Sequence, residues 1–149
     1  MKSKILLALL IVCVGCCPKA KQAIEPSQVI VTSYPSSIGD AGVAVYLPEG
    51  YTTSEKDYPV LYLLHGSGDD ETGWLTKGKA KAILDSLITN NLCQQMIVVM
   101  PNGCMRHDAA PTYSGKCDYK PYMSGSMDGS FESYFGDVVA WVDAHYRTY

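Results

Sequence analysis

The apolar positions of this chain fall into three patterns. Continuous runs occur at Val60–Leu64 (VLYLL) and Met96–Met100 (MIVVM). A run that is apolar at every position predicts a strand covered on both faces, as in parallel sheets. Shorter β-rich stretches at Val29–Tyr34 and Val43–Leu47 flank a segment of turn formers, Pro35–Gly42. Pro48 and Gly50 end the second stretch. Helical spacing occurs twice. Ala80, Ile83, Leu84, Leu87 and Ile88 share one face of a helix over Lys79–Asn91. Phe131, Phe135, Val138, Val139, Val142 and Tyr146 mark a last helix, with Ser130 as its N-cap and Glu132 in its first turn. Pro101, Asn102 and Gly103 stop the strand before it. Residues 101–130 have no usable period, and a loop that long in a compact domain is functional or disordered.

The predicted order is strand, strand, strand, helix, strand, helix. Alternation after two leading strands predicts an α/β fold, a mostly parallel sheet with antiparallel leading strands and helices on both faces. The alternation stops after a helix. Four strands under two helices leave Met96–Met100 with an unpaired apolar edge, which is an aggregation liability. The chain therefore reads as the front part of a larger domain, and poor solubility is expected of it alone.

Composition narrows the function classes. At 149 residues, 47% apolar and 18% charged, the chain is one ordinary globular domain. Twelve basic residues against 15 acidic ones leave a net charge of −3. That excludes the basic footprint of a nucleic-acid binder. Apart from Lys77, Lys79 and Lys81 the cations are scattered, so an anionic membrane surface is not an expected partner.

The N-terminus is a targeting segment. Lys2 and Lys4 precede the ten-residue apolar run Ile5–Val14. It is too short to span a bilayer and fits the h-region of a secretory signal. Gly15, Cys16 and Cys17 follow. A cysteine after a small residue at this place resembles a bacterial lipobox, in which the thiol takes a diacylglycerol. Cys13 stands where a lipobox has leucine. The expected organisation is a lipoprotein-type signal segment over 1–16, a tether over 17–28 and the domain over 29–149. The resemblance implies export and anchoring to a membrane through a lipid on Cys16, at a periplasmic or cell-surface location. The absence of acidic residues just after Cys16 leans toward the periplasmic face.

Export permits disulfides. Cys104 and Cys117 share the long loop, and a bridge between them closes about 14 residues, worth roughly 3 kcal/mol of chain entropy. Cys93 follows a helix, has no obvious partner and reads as a buried free thiol. The spacings lack paired Cys-x-x-Cys, so no metal site is expected.

The most informative stretch is Tyr58–Trp74, YPVLYLLHGSGDDETGW. A strand runs into His65 and Gly66 and then a loop of small residues. Gly66 and Gly68 let backbone N–H groups turn toward a ligand oxygen, with no Cβ in the way. Aimed N–H groups in a dry cleft stabilise an oxyanion. This stretch, with VYLPEGY (45–51), ILDSLI (83–88), MIVVMPNG (96–103) and FESYFGDVVAWVDAHYRTY (131–149), resembles the esterase group of α/β-hydrolases. That group takes in the feruloyl and acetylxylan esterases of carbohydrate esterase family 1, esterase D and the mycolyltransferases.

The resemblance implies an α/β-hydrolase fold, here its N-terminal half, and serine ester hydrolysis without a cofactor. It places one oxyanion donor on the backbone of Ser67 or Gly66, with Ser67 preferred, and the other after the nucleophile. His65 is expected to brace the loop rather than act as base, because the family's triad runs serine, acid, histidine. Trp74 lines the substrate cleft or packs. Asp69, Asp70 and Glu71 are expected to be solvated or helix-capping rather than an acid–base pair.

The chain departs from the group in one respect. The nucleophile motif Gly-x-Ser-x-Gly is absent. Gly125–Gly129 holds Ser126 one place early and follows a loop rather than a strand, so it makes no elbow. His107 in the long loop and His145 at the end of the last helix do not replace the base. No catalytic residue is therefore expected within the chain, and it should show no esterase activity alone. The expected partner is an ester substrate, an acylated polysaccharide or oligosaccharide carrying acetyl or feruloyl groups. The other class of reading is a non-catalytic lipoprotein module, whose Tyr113, Tyr119 and Tyr122 stack on carbohydrate or phenolic ligands.

Overall fold

The computed structural model describes residues 24–37, 39–66, 69–103 and 130–149, with side chains of the last segment from Tyr134 onward. Four strands form one sheet: β1 (Gln28–Ser36), β2 (Gly39–Leu47), β3 (Val60–Tyr62) and β4 (Ile97–Pro101). Among the described residues three α-helices accompany them: α1 (Gly73–Thr76), α2 (Ala80–Thr89) and α3 (Ser130–His145). The sheet order is β1-β2-β4-β3. β1 and β2 form an antiparallel hairpin, β2 pairs antiparallel with β4, and β3 runs parallel to β4.

Alternation decides which face each residue of β2 covers, since successive side chains point to opposite sides. Val43, Val45 and Leu47 join Tyr34, Ile97 and Val99 on one face, closed by Val138 and Val142 of α3. Ala44 and Tyr46 join Val98 and Met100 on the other, against Leu84 and Ile88 of α2. Every residue of β4 is buried. Each fully buried valine here contributes on the order of 1.5–3 kcal/mol of transfer free energy. α2 is stopped by Asn91 in the left-handed region (φ 56°), where the Leu92 N–H returns to the Leu87 carbonyl at 2.8 Å.

Three sequence expectations change. The free apolar edge is not at Met96–Met100: β4 lies inside the sheet, and β3 is the outer strand. Leu61 is accordingly 42% exposed, although its run reads as covered on both faces. Pro35–Gly42 is mostly strand rather than turn, because the hairpin ladder continues to Ser36 opposite Gly39. Ile83 lies on the predicted buried face of α2 but is 52% exposed, while Leu84 and Ile88 of that face pack against the sheet.

The last residues return to the start of β3. Thr148 makes an isolated parallel bridge to Tyr58, and the Tyr58 N–H donates to the Arg147 carbonyl at 3.0 Å. The Arg147 guanidinium lies over the Tyr51 ring and donates to the Tyr51 carbonyl. The chain after α3 thus runs alongside the outer strand.

Candidate active site

β3 and β4 are parallel, so their carboxyl ends open on the same side of the sheet, where ligands of open α/β sheets bind. Two segments meet there: the loop leaving β3, residues 63–72, and the end of β4 at Asn102 and Gly103. His65 joins them. Its Nε2 accepts the Gly103 N–H at 2.9 Å, and its Nδ1 lies 2.8 Å from the Gly66 carbonyl. An acceptor at Nε2 requires the proton at Nδ1, so the ring donates to Gly66. The same carbonyl accepts the Asp69 N–H at 3.2 Å. His65 therefore spends both ring nitrogens on the backbone, as a brace does.

The three consecutive acids have three different roles. Asp70 Oδ1 accepts the Thr72 N–H at 2.8 Å and its hydroxyl at 2.7 Å, which sets the turn into α1. Asp69 pairs with Lys77 at 3.0 Å. The hydrogen bond from Lys77 holds the Asp69 carboxyl below its usual range. Glu71 is the correction: it is neither solvated nor capping but 1% exposed. Its Oε2 accepts Asn102 Nδ2 at 2.9 Å, and its Oε1 has no hydrogen-bond partner among the described residues. A carboxyl so deeply buried resists ionisation, and burial pushes it above its ordinary value.

Trp74, on α1, donates its indole N–H to the Leu64 carbonyl at 2.8 Å and remains 39% exposed. It lines an open cleft of about 390 Å³ with His65, Gly66, Asp69, Lys77 and Gly78. Trp74 thus packs and lines the cleft at once. Gly66 is exposed, and a Cβ there would meet nothing within 4 Å. Ser67 and Gly68 lie outside the described residues, as do Cys16, Cys104, Cys117, His107, Tyr113, Tyr119, Tyr122 and Ser126. His145 is in the last turn of α3, stacked on Trp141 at 4.8 Å, and the chain just after it returns to Tyr58 before the start of β3 rather than to the loop after it. Cys93 is free but half-buried rather than buried.

Sequence reasoning missed Asn102, Gly103 and Gly42 as parts of this site. Their only signal was the PNG ending of β4 and the glycine in β2, both readable as simple breakers.

A parallel pair of strands, a crossover through α1 and α2, and a braced loop at the carboxyl end of β3 define an α/β-hydrolase. Residues 36–149 match the family model described as "Putative esterase", and the chain belongs to that family. It is 45% identical over 78 residues to an endo-1,4-beta-xylanase/feruloyl esterase of Xylanibacter ruminicola, a match covering 49% of this chain and 11% of that protein. Among solved structures it is similar to a mutant of the feruloyl esterase module from Clostridium thermocellum complexed with sinapinate. That match has a TM-score of 0.59 and 26% identity over 83% of this chain and 38% of the other. The fold is also that of a ferulic acid esterase from Anaeromyces mucronatus, with a TM-score of 0.63, 23% identity, and coverage of 89% of this chain and 50% of that one. The chain thus spans half or less of the solved esterases it matches and about a tenth of the curated relative.

Proposed function

We propose that these residues form the oxyanion-loop part of an exported serine carboxylesterase acting on acetyl or feruloyl esters of plant polysaccharide. The observation that carries the reading is the Gly66 carbonyl, held from two sides by His65 Nδ1 and the Asp69 N–H. In a trans peptide the N–H points opposite to the carbonyl. Anchoring that carbonyl holds the loop beside the cleft that Gly66 and Trp74 line, where the family resemblance puts one oxyanion donor. An N–H held in place before the reaction costs no reorganisation when charge develops on the ester oxygen.

The chemistry follows the serine-hydrolase scheme. A serine Oγ adds to the ester carbonyl as a base takes its proton. The resulting oxyanion is held by two N–H groups and collapses to an acyl-enzyme, while the alcohol leaves with the proton. Water then adds to the acyl carbon and releases the acid. The nucleophile, acid and base are proposed to come from chain beyond these residues. The absence of Gly-x-Ser-x-Gly and the greater length of the matched esterases support this. The outer position of β3, with the chain after α3 bridged to Tyr58, leaves room for further parallel strands. Export, with a lipid anchor at Cys16 and a periplasmic or cell-surface location, is part of the same proposal and is supported by the N-terminal sequence. The feruloyl and xylan substrate class is supported by the similarity to the Xylanibacter protein.

The test compares residues 17–149 with the whole polypeptide encoded by the reading frame, assayed on p-nitrophenyl acetate and methyl ferulate. Turnover only by the longer protein is the expected result. Turnover by residues 17–149 that is lost on Ser126→Ala would overturn the placement of the nucleophile.

A further inference from the structure

We infer that Glu71 is a positioning residue, which holds the loop between His65 and Glu71 in shape through a buried pair with Asn102. The inference rests on the esterase reading for its kinetic arm. The geometry is a staple. At one end of the loop His65 takes the Gly103 N–H, and at the other Glu71 takes Asn102 Nδ2. Two consecutive residues after β4 thus hold both ends of the segment that contains Gly66 and Ser67. Asn102 is itself fixed, since its N–H donates to the Gly42 carbonyl at 2.8 Å and it is 2% exposed.

The space around the carboxyl is built for it. A Cβ on Gly42 would lie 2.8 Å from Glu71 Cδ and Oε2 and 2.9 Å from Oε1, so the carboxyl occupies space that glycine leaves open in β2 and would have to shift for any larger residue. Other roles fit less well. Glu71 is not among the described residues that line the cleft, and at 1% exposure it is not placed to exchange protons with an ester bound there. One carboxylate beside one carboxamide is too few donors to hold a metal ion. A solvated turn acid would not be 99% buried.

Burial favours the neutral form of this acid. An ionised carboxylate here has one oxygen without a donor among the described residues. Burial pushes the carboxyl up, and Asp70 adds to this. The hydrogen bond from its own backbone N–H, the Asn102 hydrogen bond and His65 pull the other way without cancelling it. Asp70 and His65 lie on the same loop, while Gly42 from β2 and Asn102 after β4 bring no charge. Glutamine copies the shape of the neutral acid, whereas alanine removes the oxygen to which Asn102 Nδ2 donates.

The experiment uses the whole polypeptide and the variants Glu71→Gln and Glu71→Ala. Kinetics on p-nitrophenyl acetate between about pH 5 and 9 are paired with amide exchange of the segment over residues 62–74. A misplaced oxyanion donor costs about 10²-fold in rate. Glu71→Ala should therefore lower kcat about 10- to 100-fold with KM nearly unchanged, and its loop amides should exchange faster. Glu71→Gln should keep wild-type kcat and protection. A folded Glu71→Ala protein with wild-type kcat and exchange overturns the inference. So does Glu71→Gln behaving like Glu71→Ala. If the alanine variant does not fold, faster exchange of the loop amides in Glu71→Gln than in the wild type overturns it. If the wild type hydrolyses no ester, the esterase reading fails by itself, and loop exchange rising in Glu71→Ala but not in Glu71→Gln still upholds the staple.

Discussion

His65 Nε2 accepts the Gly103 N–H at 2.9 Å, a bond that spans 38 residues of sequence and joins the loop after β3 to the end of β4. With Nδ1 on the Gly66 carbonyl, the ring has no lone pair left to take a proton from a nucleophile. His65→Ala should destabilise the fold by about 1–3 kcal/mol, because a partly buried N–H loses its acceptor. In the whole enzyme it should lower kcat/KM by about 10²-fold, the effect of a displaced oxyanion donor. A loss of about 10⁶-fold, as follows removal of a triad histidine, would instead make His65 the base.

Gly42→Ala and Gly66→Ala should behave oppositely. The first places a methyl within 2.8 Å of the buried Glu71 carboxyl, so the carboxyl must shift and strain its bond to Asn102. Overpacking of this kind costs about 1–3 kcal/mol, readable as a lower urea midpoint. In a double-mutant cycle with Glu71→Ala the cost should shrink, giving a coupling of about 0.5–3 kcal/mol. Gly66→Ala meets no neighbour and should leave the midpoint unchanged or raise it by about 0.4–1 kcal/mol. Its methyl enters the cleft, so KM should rise.

Trp74→Phe removes the indole donor from the Leu64 carbonyl while keeping most of the ring. Leu64 is 48% exposed, so water replaces the donor and the stability cost should stay near 0.5–1.5 kcal/mol. The larger effect should be on KM for aromatic acyl esters, since Trp74 lines the cleft. Equal KM values for methyl ferulate in wild type and variant would assign Trp74 to packing alone.

These residues also show what a sequence can disclose. β2 and β4 were legible because a strand between two others is apolar at every position, and both are buried throughout Val43–Leu47 and Ile97–Pro101. β3 has the same pattern yet lies outermost, because sheet order depends on which strand β4 inserts beside. No local signal carries that. His65 was legible as a brace from the order of the family's triad. Glu71 was not, because its burial depends on Asn102, 31 residues away, and on the missing side chain of Gly42. Three adjacent acids look alike in sequence and differ only in what the fold brings to each.

Two of the carboxyls should tilt the stability profile in opposite directions. On the α2 face, Asp85 accepts from Tyr46 at 2.9 Å and from Lys81 at 2.7 Å, and Lys81 also donates to Ser27 at 2.7 Å. Burial pushes Asp85 up, but the hydrogen bonds from Lys81, Ser27 and Tyr46 outweigh it and hold the carboxyl below its usual range. Its folded value therefore lies below the unfolded value of about 3.9. The stability it adds is present above that pH and is lost as pH falls through the folded value. Glu71 is raised, so its contribution is complete below the unfolded value of about 4.3 and is lost as pH rises through the folded value. Asp85→Asn should cost about 1 kcal/mol at pH 7, the scale of a partly exposed hydrogen bond, and should flatten the acid limb of a Tm–pH curve. Glu71→Gln should leave the acid limb in place and raise Tm relative to wild type as pH increases. Curves for wild type and Glu71→Gln that stay parallel from about pH 4 to 9 would mean that Glu71 titrates alike in the folded and unfolded chains, and would rule out its assignment as a buried neutral acid.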